Sequence, residues 1–297
     1  MRRIYTIMFV VSISLTVAAI LAIAVFGLNL GVDFKGGSVI ELQFKGRAPS
    51  SADIQKELAP KLTGKELTTA ASGDRNIIIK TSELSEADHQ AVLAVFKDKF
   101  SSAGAEEKSF DSIGPVVGKE LRDKSITAMI LVLLGIMIYI ALVFRKLSRA
   151  LSPWVMGLSA IVALVHDISI PIGVFSLLGH FHNIEISAVF VAAVLTILGY
   201  SVSDTVVVFD RVRENIIRGG LKEGFAEIVH KSIMQTLARS INTNITVLLS
   251  LIAIYFWGGE SIKYFSLALI IGIFLGAYSS IFVASPILVW FNKTSRK

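Results

Sequence analysis

Six long apolar stretches most constrain what this chain can fold into. A helix that crosses the hydrocarbon core of a bilayer needs about 20 mostly apolar residues. The 297-residue sequence meets this requirement at residues 4–30, 125–144, 154–178, 186–209, 240–257 and 264–290. The composition agrees, since 53% of the residues are hydrophobic and the mean hydropathy is +0.68. The sequence therefore predicts a polytopic α-helical membrane protein with six transmembrane helices.

Lysine and arginine are distributed unevenly among the connections between these stretches. On one side of the membrane, the two short connections contain only Lys263. The termini and the connections on the other side contain Arg2, Arg3, Arg145, Lys146, Arg149, Arg211, Arg213, Arg218, Lys222, Lys231, Lys293, Arg296 and Lys297. Cytoplasmic segments of membrane proteins carry an excess of Lys and Arg. We therefore predict that both termini are cytoplasmic and that residues 32–124 lie on the outer side.

Residues 32–124 form the one long polar connection. They contain 14 Lys and Arg against 15 Asp and Glu, and a segment of this length can cross a membrane regardless of its charge. Strand-like and helix-like stretches follow the order β-α-β-β-α-β, which predicts a small ferredoxin-like α/β domain. The predicted division is a first transmembrane helix at 1–31, an extracytoplasmic α/β domain at 32–124 and a five-helix transmembrane bundle at 125–297.

The sequence does not indicate an enzyme or a nucleic-acid-binding protein. It contains no cysteine, which excludes disulfides and thiolate metal sites. No basic cluster lies on a compact soluble domain, as nucleic-acid binding would require. Residues 32–124 show no nucleophile–base pair and no metal-ligand cluster, and His180 and His182 lack further ligands. We therefore predict a mechanical or binding role for residues 32–124, and no metal or cofactor for the chain.

An aspartate, Asp204, interrupts the fourth apolar stretch. An aspartate at mid-helix costs about 2.5–3.5 kcal/mol on membrane-insertion scales, and such residues usually face a bundle interior, a hydrated cavity or a partner charge. Arg239 opens the fifth stretch at a similar predicted depth on the next antiparallel helix. We therefore expect Asp204 and Arg239 to face each other. They form either a proton-transport pair or a static ion pair that stabilises helix packing.

Other polar side chains follow the same two helix faces. Tyr200 and Ser201 precede Asp204 by four and three residues and so share its helix face. Asn242 and Thr243 lie on the face of the fifth stretch that carries its arginine. We predict that these four side chains line a hydrated pathway between the two helices.

A second aspartate, Asp167, lies near the middle of the third stretch, beside His166. Pro171 follows four residues later and has no N–H to give to the carbonyl of Asp167. A backbone acceptor, a carboxyl group and an imidazole ring therefore cluster at one point, where water or a cation could satisfy them. Asp167 either takes part in proton transport or hydrogen-bonds a neighbouring helix, and the sequence leaves both open.

Six motifs in sequence order resemble the SecF family of protein-export membrane proteins, relatives of the RND transporters. The first, "GVDFKGG" at 31–37, contains Gly31, Asp33, Gly36 and Gly37. The others are "GPVVGKEL" at 114–121, "VHDISI" at 165–170, "GYSVSDTVVVFDRVREN" at 199–215, "TLARSINTN" at 236–244 and "FWGGESIKYFSLALIIGIFLGAYSSIFVASPI" at 256–287. The resemblance covers nearly the whole chain.

The resemblance implies a role in protein secretion across the bacterial cytoplasmic membrane. It implies a heterodimer with a SecD-like subunit, association with the SecYEG channel, and use of the proton or sodium gradient to pull a translocating preprotein outward. In that family the aspartate and arginine that match Asp204 and Arg239 serve proton transport. The chain is then an ion-gradient-driven accessory subunit embedded in membrane lipid, not an enzyme.

Two alternatives follow from the same residues. Asp167 and Asp204 on adjacent spans are also typical of intramembrane aspartyl proteases, but the residues before them, His166 and Ser203, do not match that motif. An RND-like exporter subunit for small molecules or lipids is the other alternative. It would need a large substrate pocket, which one compact outer domain does not favour.

Overall fold

A computed structural model describes residues 3–100, 103–145, 152–219 and 224–294. Six positive residues used in the orientation prediction lie outside these ranges: Arg2, Lys146, Arg149, Lys222, Arg296 and Lys297. The chain divides into two compact units, of which one is Leu30–Ile126 and the other contains the segments up to Asn29 and from Thr127 onwards. The domain limits predicted from the sequence stay a prediction.

The described elements are mostly long helices. In chain order they are α1 (Arg3–Phe26), α2 (Val32–Lys35), β1 (Gly37–Phe44), α3 (Ser51–Leu58), β2 (Leu67–Ser72), β3 (Asn76–Thr81), α4 (Glu86–Lys99), β4 (Ala105–Ile113), α5 (Pro115–Val143), α6 (Pro153–His182), α7 (Ala188–Gly219), α8 (Phe225–Trp257), α9 (Glu260–Ser279), a π-helical turn (Ser280–Ala284) and α10 (Ser285–Thr294).

Six helices among the described residues are long and apolar enough to cross a membrane, as the sequence predicts. They are α1, α5, α6, α7, α8 and the continuous helix formed by α9, the π-helical turn and α10. The apolar parts of α6, of α7 and of the continuous helix from α9 to α10 are the most buried of the six. The apolar parts of α1, α5 and α8 are mostly uncovered. The uncovered faces are available to lipid or to another protein chain.

Helices α7 and α8 extend well beyond their apolar stretches. Val212 and Ile216 near the end of α7 are buried in the same cluster as Val229 and Ile233 near the start of α8. A polar contact joins the two extensions, since Nδ2 of Asn215 donates to Oγ of Ser232 at 2.8 Å. The sequence prediction missed these extensions because it followed hydropathy alone.

Small residues allow the helices of the bundle to approach closely. A Cβ on Gly276 of α9 would lie 2.9 Å from Cβ of Ser201 on α7, and a Cβ on Gly272 would overlap the side chain of Ile197. A Cβ on Gly173 of α6 would lie 2.6 Å from Cβ of Ala19 on α1. Such contacts are typical of helix packing in membranes, where small residues let backbones meet.

The unit at Leu30–Ile126 contains a four-stranded antiparallel sheet, against which α3 and α4 pack. The strand order is β2-β3-β1-β4, and the elements β1, α3, β2, β3, α4 and β4 follow the predicted order β-α-β-β-α-β, which is consistent with a ferredoxin-like arrangement. Alternate residues of β1 and β3, such as Ile40 and Ile79, are buried against Ile54 of α3 and Phe96 of α4.

Capping residues mark the starts of α3 and α4. The Ser50 hydroxyl accepts a hydrogen bond from the backbone N–H of Asp53 at the start of α3. Ser85 and Asp88 form a capping box at the start of α4. The ammonium group of Lys65 lies 2.7 Å from Oδ2 of Asp88. This contact, together with the hydrogen bonds from Ser85, lowers the pKa of Asp88 to about 2.

Candidate functional site

The buried carboxyl group of Asp167 lies where α6, α7 and the end of α9 meet. Its Oδ2 accepts hydrogen bonds from Oγ of Ser201 on α7 at 2.5 Å and from Oγ of Ser279 on α9 at 2.7 Å. Its Oδ1 lies 2.8 Å from Nδ1 of His166. Asp167 is fully buried. Since a buried carboxyl group is costly without such partners, three helices jointly satisfy this one.

The sequence explains why three helices meet at this point. Gly276 allows α9 to pack directly against Ser201 of α7, which brings Ser279 within reach of Asp167. Ser279 is the last residue of α9 before the π-helical turn. Such turns occur frequently at functional sites, because they redirect side chains within a continuous helix.

The carboxyl group of Asp204 lies between α7 and α8. Its Oδ1 accepts a hydrogen bond from Oγ of Ser240 at 3.1 Å, and its Oδ2 accepts one from Nδ2 of Asn244 at 2.7 Å. Ser240 and Asn244 are four residues apart and therefore present one face of α8 to α7. Asp204 is 8% exposed. Its partners are thus neutral donors from the neighbouring helix.

The expected contact between Asp204 and Arg239 is absent among the described residues. Arg239 is exposed and forms no ion pair there, whereas the next residue, Ser240, is buried against Asp204. Consecutive helix residues point about 100° apart. Because Ser240 faces Asp204, the side chain of Arg239 must point to one side.

Arg239 instead lines a cleft of about 200 Å³ between α7 and α8. The cleft is formed by Val206, Val207, Asp210, Arg211, Glu214, Thr236 and Arg239. Both acidic residues of this lining are already paired, Glu214 with Arg211 at 2.7 Å and Asp210 with Arg213 at 2.8 Å. Arg239 therefore lies next to Ser240 on α8, but in this cleft and not at the carboxyl group of Asp204.

The four side chains predicted to line a hydrated pathway have different surroundings. Ser201 hydrogen-bonds Asp167, not Asp204. The buried hydroxyl of Tyr200 has no hydrogen-bond partner among the described residues. Asn242 and Thr243 are exposed on α8. The structure therefore brings only Ser201 of the four into contact with a carboxyl group.

Three donors to the two carboxyl groups were not selected in the sequence analysis. Ser240 and Asn244 lie in the same motif as Asn242 and Thr243 but on the adjacent helix face. Their spacing of four residues, starting directly after the arginine, was the available signal. Ser279 had no signal, because its contact with α6 depends on the packing of α9.

The glycine motif at residues 31–37, at the start of the unit Leu30–Ile126, allows close packing of the backbone. Gly36 has φ 81°, and a Cβ there would lie 2.7 Å from Cα of Pro115. Gly37 has φ 142°, and a Cβ there would lie 2.6 Å from the carbonyl oxygen of Thr81. Gly31 is the N-cap residue of α2, and Asp33 lies in its first turn. The motif thus connects α2 to β1 in a conformation that favours glycine.

The described residues contain no group of three or more His, Cys, Asp or Glu side chains placed to hold a metal ion. His180 and His182, at the C-terminal end of α6, are exposed. The ring of His180 packs against Phe26 of α1, with ring centroids 4.7 Å apart.

Two family profiles match the chain. The profile for "Protein export membrane protein SecD/SecF, C-terminal" matches residues 93–294, and the profile for the "SecD/SecF GG Motif" matches residues 21–46. The first match includes both carboxyl groups described above, and the second includes the glycine motif.

Curated relatives and a solved structure are similar over nearly the whole chain. The protein translocase subunit SecF of Thermobaculum terrenum is 42% identical over 297 residues, which cover 96% of this chain and 92% of the relative. The subunit of Pseudomonas aeruginosa is 36% identical, covering 97% and 89%. A Thermus SecDF, described as a translocon-associated membrane protein, superposes with a TM-score of 0.81 at 32% identity.

The match to the solved structure covers 97% of this chain but only 38% of the SecDF chain. The chain therefore spans less than half the length of that protein, whereas it spans about nine-tenths of the curated SecF relatives. On the profile match and these identities, the chain belongs to the SecF family of protein translocase subunits.

Proposed function

We propose that this chain works with a SecD-like subunit in the bacterial cytoplasmic membrane and uses an ion gradient to drive late preprotein translocation. The observation that carries the proposal is the carboxyl group of Asp204, which is buried in a membrane-spanning helix and held by the neutral donors Ser240 and Asn244. Its surroundings satisfy hydrogen bonds without providing a fixed counter-charge among the described residues.

Such a carboxyl group can gain and lose a proton at limited cost. When it is protonated, no charge is buried, and when it is ionised, the hydroxyl of Ser240 and the amide of Asn244 already donate to it. Intramembrane carboxyl groups of this kind are typical of proton relays. Proton entry would then be driven by the membrane potential, at about 2.3 kcal/mol per charge per 100 mV.

Arg239 has the role of a movable counter-charge in this proposal. It lies beside Ser240 on α8, in an open cleft, with no ion pair among the described residues. A rotation of α8 about its axis would turn Arg239 towards an ionised Asp204 and turn Ser240 away. Protonation and deprotonation of Asp204 would thereby change the contact between α7 and α8. Asp167 belongs to the same proton pathway.

A second chain is needed to cover the polar face of α8. Arg239, Asn242, Thr243, Thr246 and Ser250 recur at helical spacing and are exposed. Charged and polar side chains in membrane-spanning helices face other protein or water and not lipid. Together with the match to one part of SecDF, this face supports a heterodimer with a SecD-like subunit.

A cysteine introduced at Asn242 is expected to cross-link to the SecD-like subunit. The natural chain has no cysteine, so a thiol-reactive photo-cross-linker labels only the introduced position. The matched control is Leu21→Cys on the exposed apolar face of α1, which should contact lipid. Cross-linking from the α1 position alone, detected by mass spectrometry of the adduct, would contradict this placement of the partner.

The remaining assignments follow from the orientation prediction and the resemblance. Both termini are cytoplasmic, and the α/β unit at Leu30–Ile126 lies on the outer side, where it binds the preprotein as it leaves the SecYEG channel. The α/β unit would pull and release the preprotein there as protonation of Asp204 changes the contact between α7 and α8.

Export by inverted membrane vesicles tests the function as a whole. Vesicles that contain the SecD-like subunit and the SecYEG channel are prepared with and without this chain, and an ionophore is added after translocation has begun. We expect the ionophore to slow the late phase of export only when the chain is present. An equal effect of the ionophore on both kinds of vesicle would show that the chain does not couple the gradient to export.

A further inference from the structure

His166 and Asp167 form a buried acid–base pair that is distinct from Asp204. Nδ1 of His166 lies 2.8 Å from Oδ1 of Asp167, and their side chains are 2% and 0% exposed. A neutral imidazole beside a protonated carboxyl, or an imidazolium beside a carboxylate, carries no net charge. The pair can therefore hold one exchangeable proton without burying a net charge.

The pair is also prepared for loss of that proton. If it leaves, Asp167 becomes a carboxylate beside a neutral His166. Oδ2 of Asp167 already accepts hydrogen bonds from the hydroxyls of Ser201 and Ser279, on two other helices. Hydrogen bonds to the charged form favour that form. Both protonation states thus have partners in place.

The second ring nitrogen of His166 lies outside this hydrogen-bond network. Nε2 is buried and has no hydrogen-bond partner among the described residues. The ring of His166 stacks near that of Tyr278, with centroids 6.3 Å apart, and the Tyr278 hydroxyl donates to the carbonyl of Met8 on α1. A histidine that only stabilised packing would be expected to use both nitrogens, because an unpartnered buried polar atom is costly.

The pair is connected to Asp204 through one turn of α7. Ser201, which donates to Asp167, lies three residues before Asp204 and on the same side of the helix. Among the described residues, Tyr278 is a further titratable group close to the pair. On α1, no charged side chain occurs between Ile4 and Phe26, and Tyr5 is engaged with His230 at 2.7 Å.

We propose that His166 and Asp167 form a second proton-binding site, which exchanges its proton with Asp204 past the hydroxyl of Ser201. The inference rests on the proposed function. One proton moves in each exchange: it leaves the His166–Asp167 pair and arrives on the carboxylate of Asp204, or the reverse. The π-helical turn after Ser279 lets α9 follow the change, since Ser279 contacts Asp167 directly.

Three variants of the full chain, assembled with its SecD-like subunit in inverted vesicles, test the second site. His166→Gln keeps a hydrogen-bond donor but cannot take up a proton, Asp167→Asn removes the acid, and Ser201→Ala removes the connecting hydroxyl. We expect each to lower gradient-driven export by about tenfold or more and His166→Gln to remove one step from its pH profile. Ser159→Ala is the control, because the buried Ser159 hydroxyl donates only to the carbonyl of Val155.

The outcomes separate this inference from the proposed function. If Asp204→Asn abolishes gradient-driven export while the three variants export at the control rate with an unchanged pH profile, the second site is wrong and Asp167 is outside the pathway, but gradient coupling through Asp204 stands. If Asp204→Asn has no effect, the proposed function itself fails. Should Asp167→Asn accumulate poorly in the membrane, Ser201→Ala decides, since it only removes a hydroxyl from a position packed against Gly276.

Discussion

Asp204→Asn is expected to abolish gradient-driven export while the chain still accumulates in the membrane. An asparagine has the shape of the aspartate, and its amide can accept from Asn244 and donate to the hydroxyl of Ser240, which now donate to Asp204. The packing between α7 and α8 is therefore retained. The side chain can no longer take up or release a proton, so export should fall to the rate measured without a gradient.

The measurement is the rate of late preprotein translocation in inverted vesicles, with and without ionophore, normalised to the amount of chain in the membrane. Asp98→Asn is the matched control, because it makes the same chemical change at an exposed position of α4. Export by the Asp204→Asn variant that still responds to the ionophore as the natural chain does would refute a proton-carrying role. A loss of chain from the membrane would show a structural role instead.

Gly37→Ala is expected to destabilise the α/β unit by about 2–4 kcal/mol, because backbone strain and a steric clash act together. Gly37 has φ 142°, which side-chain-bearing residues rarely adopt, and the new Cβ would lie 2.6 Å from the carbonyl oxygen of Thr81 on β3. That carbonyl belongs to the strand paired with β1, so the clash could be relieved only by separating the two central strands.

Two glycine variants separate the two causes. Gly73 also has a positive φ, 71°, but a Cβ there would meet nothing within 4 Å, so Gly73→Ala should cost only the backbone strain, about 1 kcal/mol. Gly46 lies in open space without a positive φ, and Gly46→Ala should have little effect. Stability is measured as the temperature at which the unit becomes sensitive to protease in the full-length protein. Equal losses for Gly37→Ala and Gly73→Ala would show that contact with Thr81 does not require glycine.

The membrane architecture was predictable because hydropathy directly reports the cost of exposing or burying side chains in lipid. Six apolar stretches predicted six membrane-spanning helices, and the described residues contain six. The order of strands and helices in the α/β unit was likewise predictable from local periodicity and capping residues such as Ser50 and Ser85. The extensions of α7 and α8 were missed, because they are stabilised outside the apolar stretches by residues such as Val212 and Val229, which are buried in one cluster.

The candidate site was predictable in part. Charge within an apolar stretch was sufficient to identify Asp204 and Asp167, because ionisable residues are costly in a membrane. The pairing of Asp204 with Arg239 was inferred from depth alone, and depth does not determine the direction of a side chain around the helix. Arg239 and Ser240 are consecutive residues of α8, and of these two only Ser240 contacts Asp204.

The sequence by itself determined how many helices cross the membrane, where the α/β unit lies in the chain and which carboxyl groups are buried in the spans. These properties follow from composition and periodicity within single segments. Only the tertiary structure decided which side chains satisfy those carboxyl groups. Ser279 contacts Asp167 because Gly276 lets α9 approach α7. Ser240 and Asn244 contact Asp204 because of the rotation of α8 about its axis, which is set by packing between helices and not by any one of them.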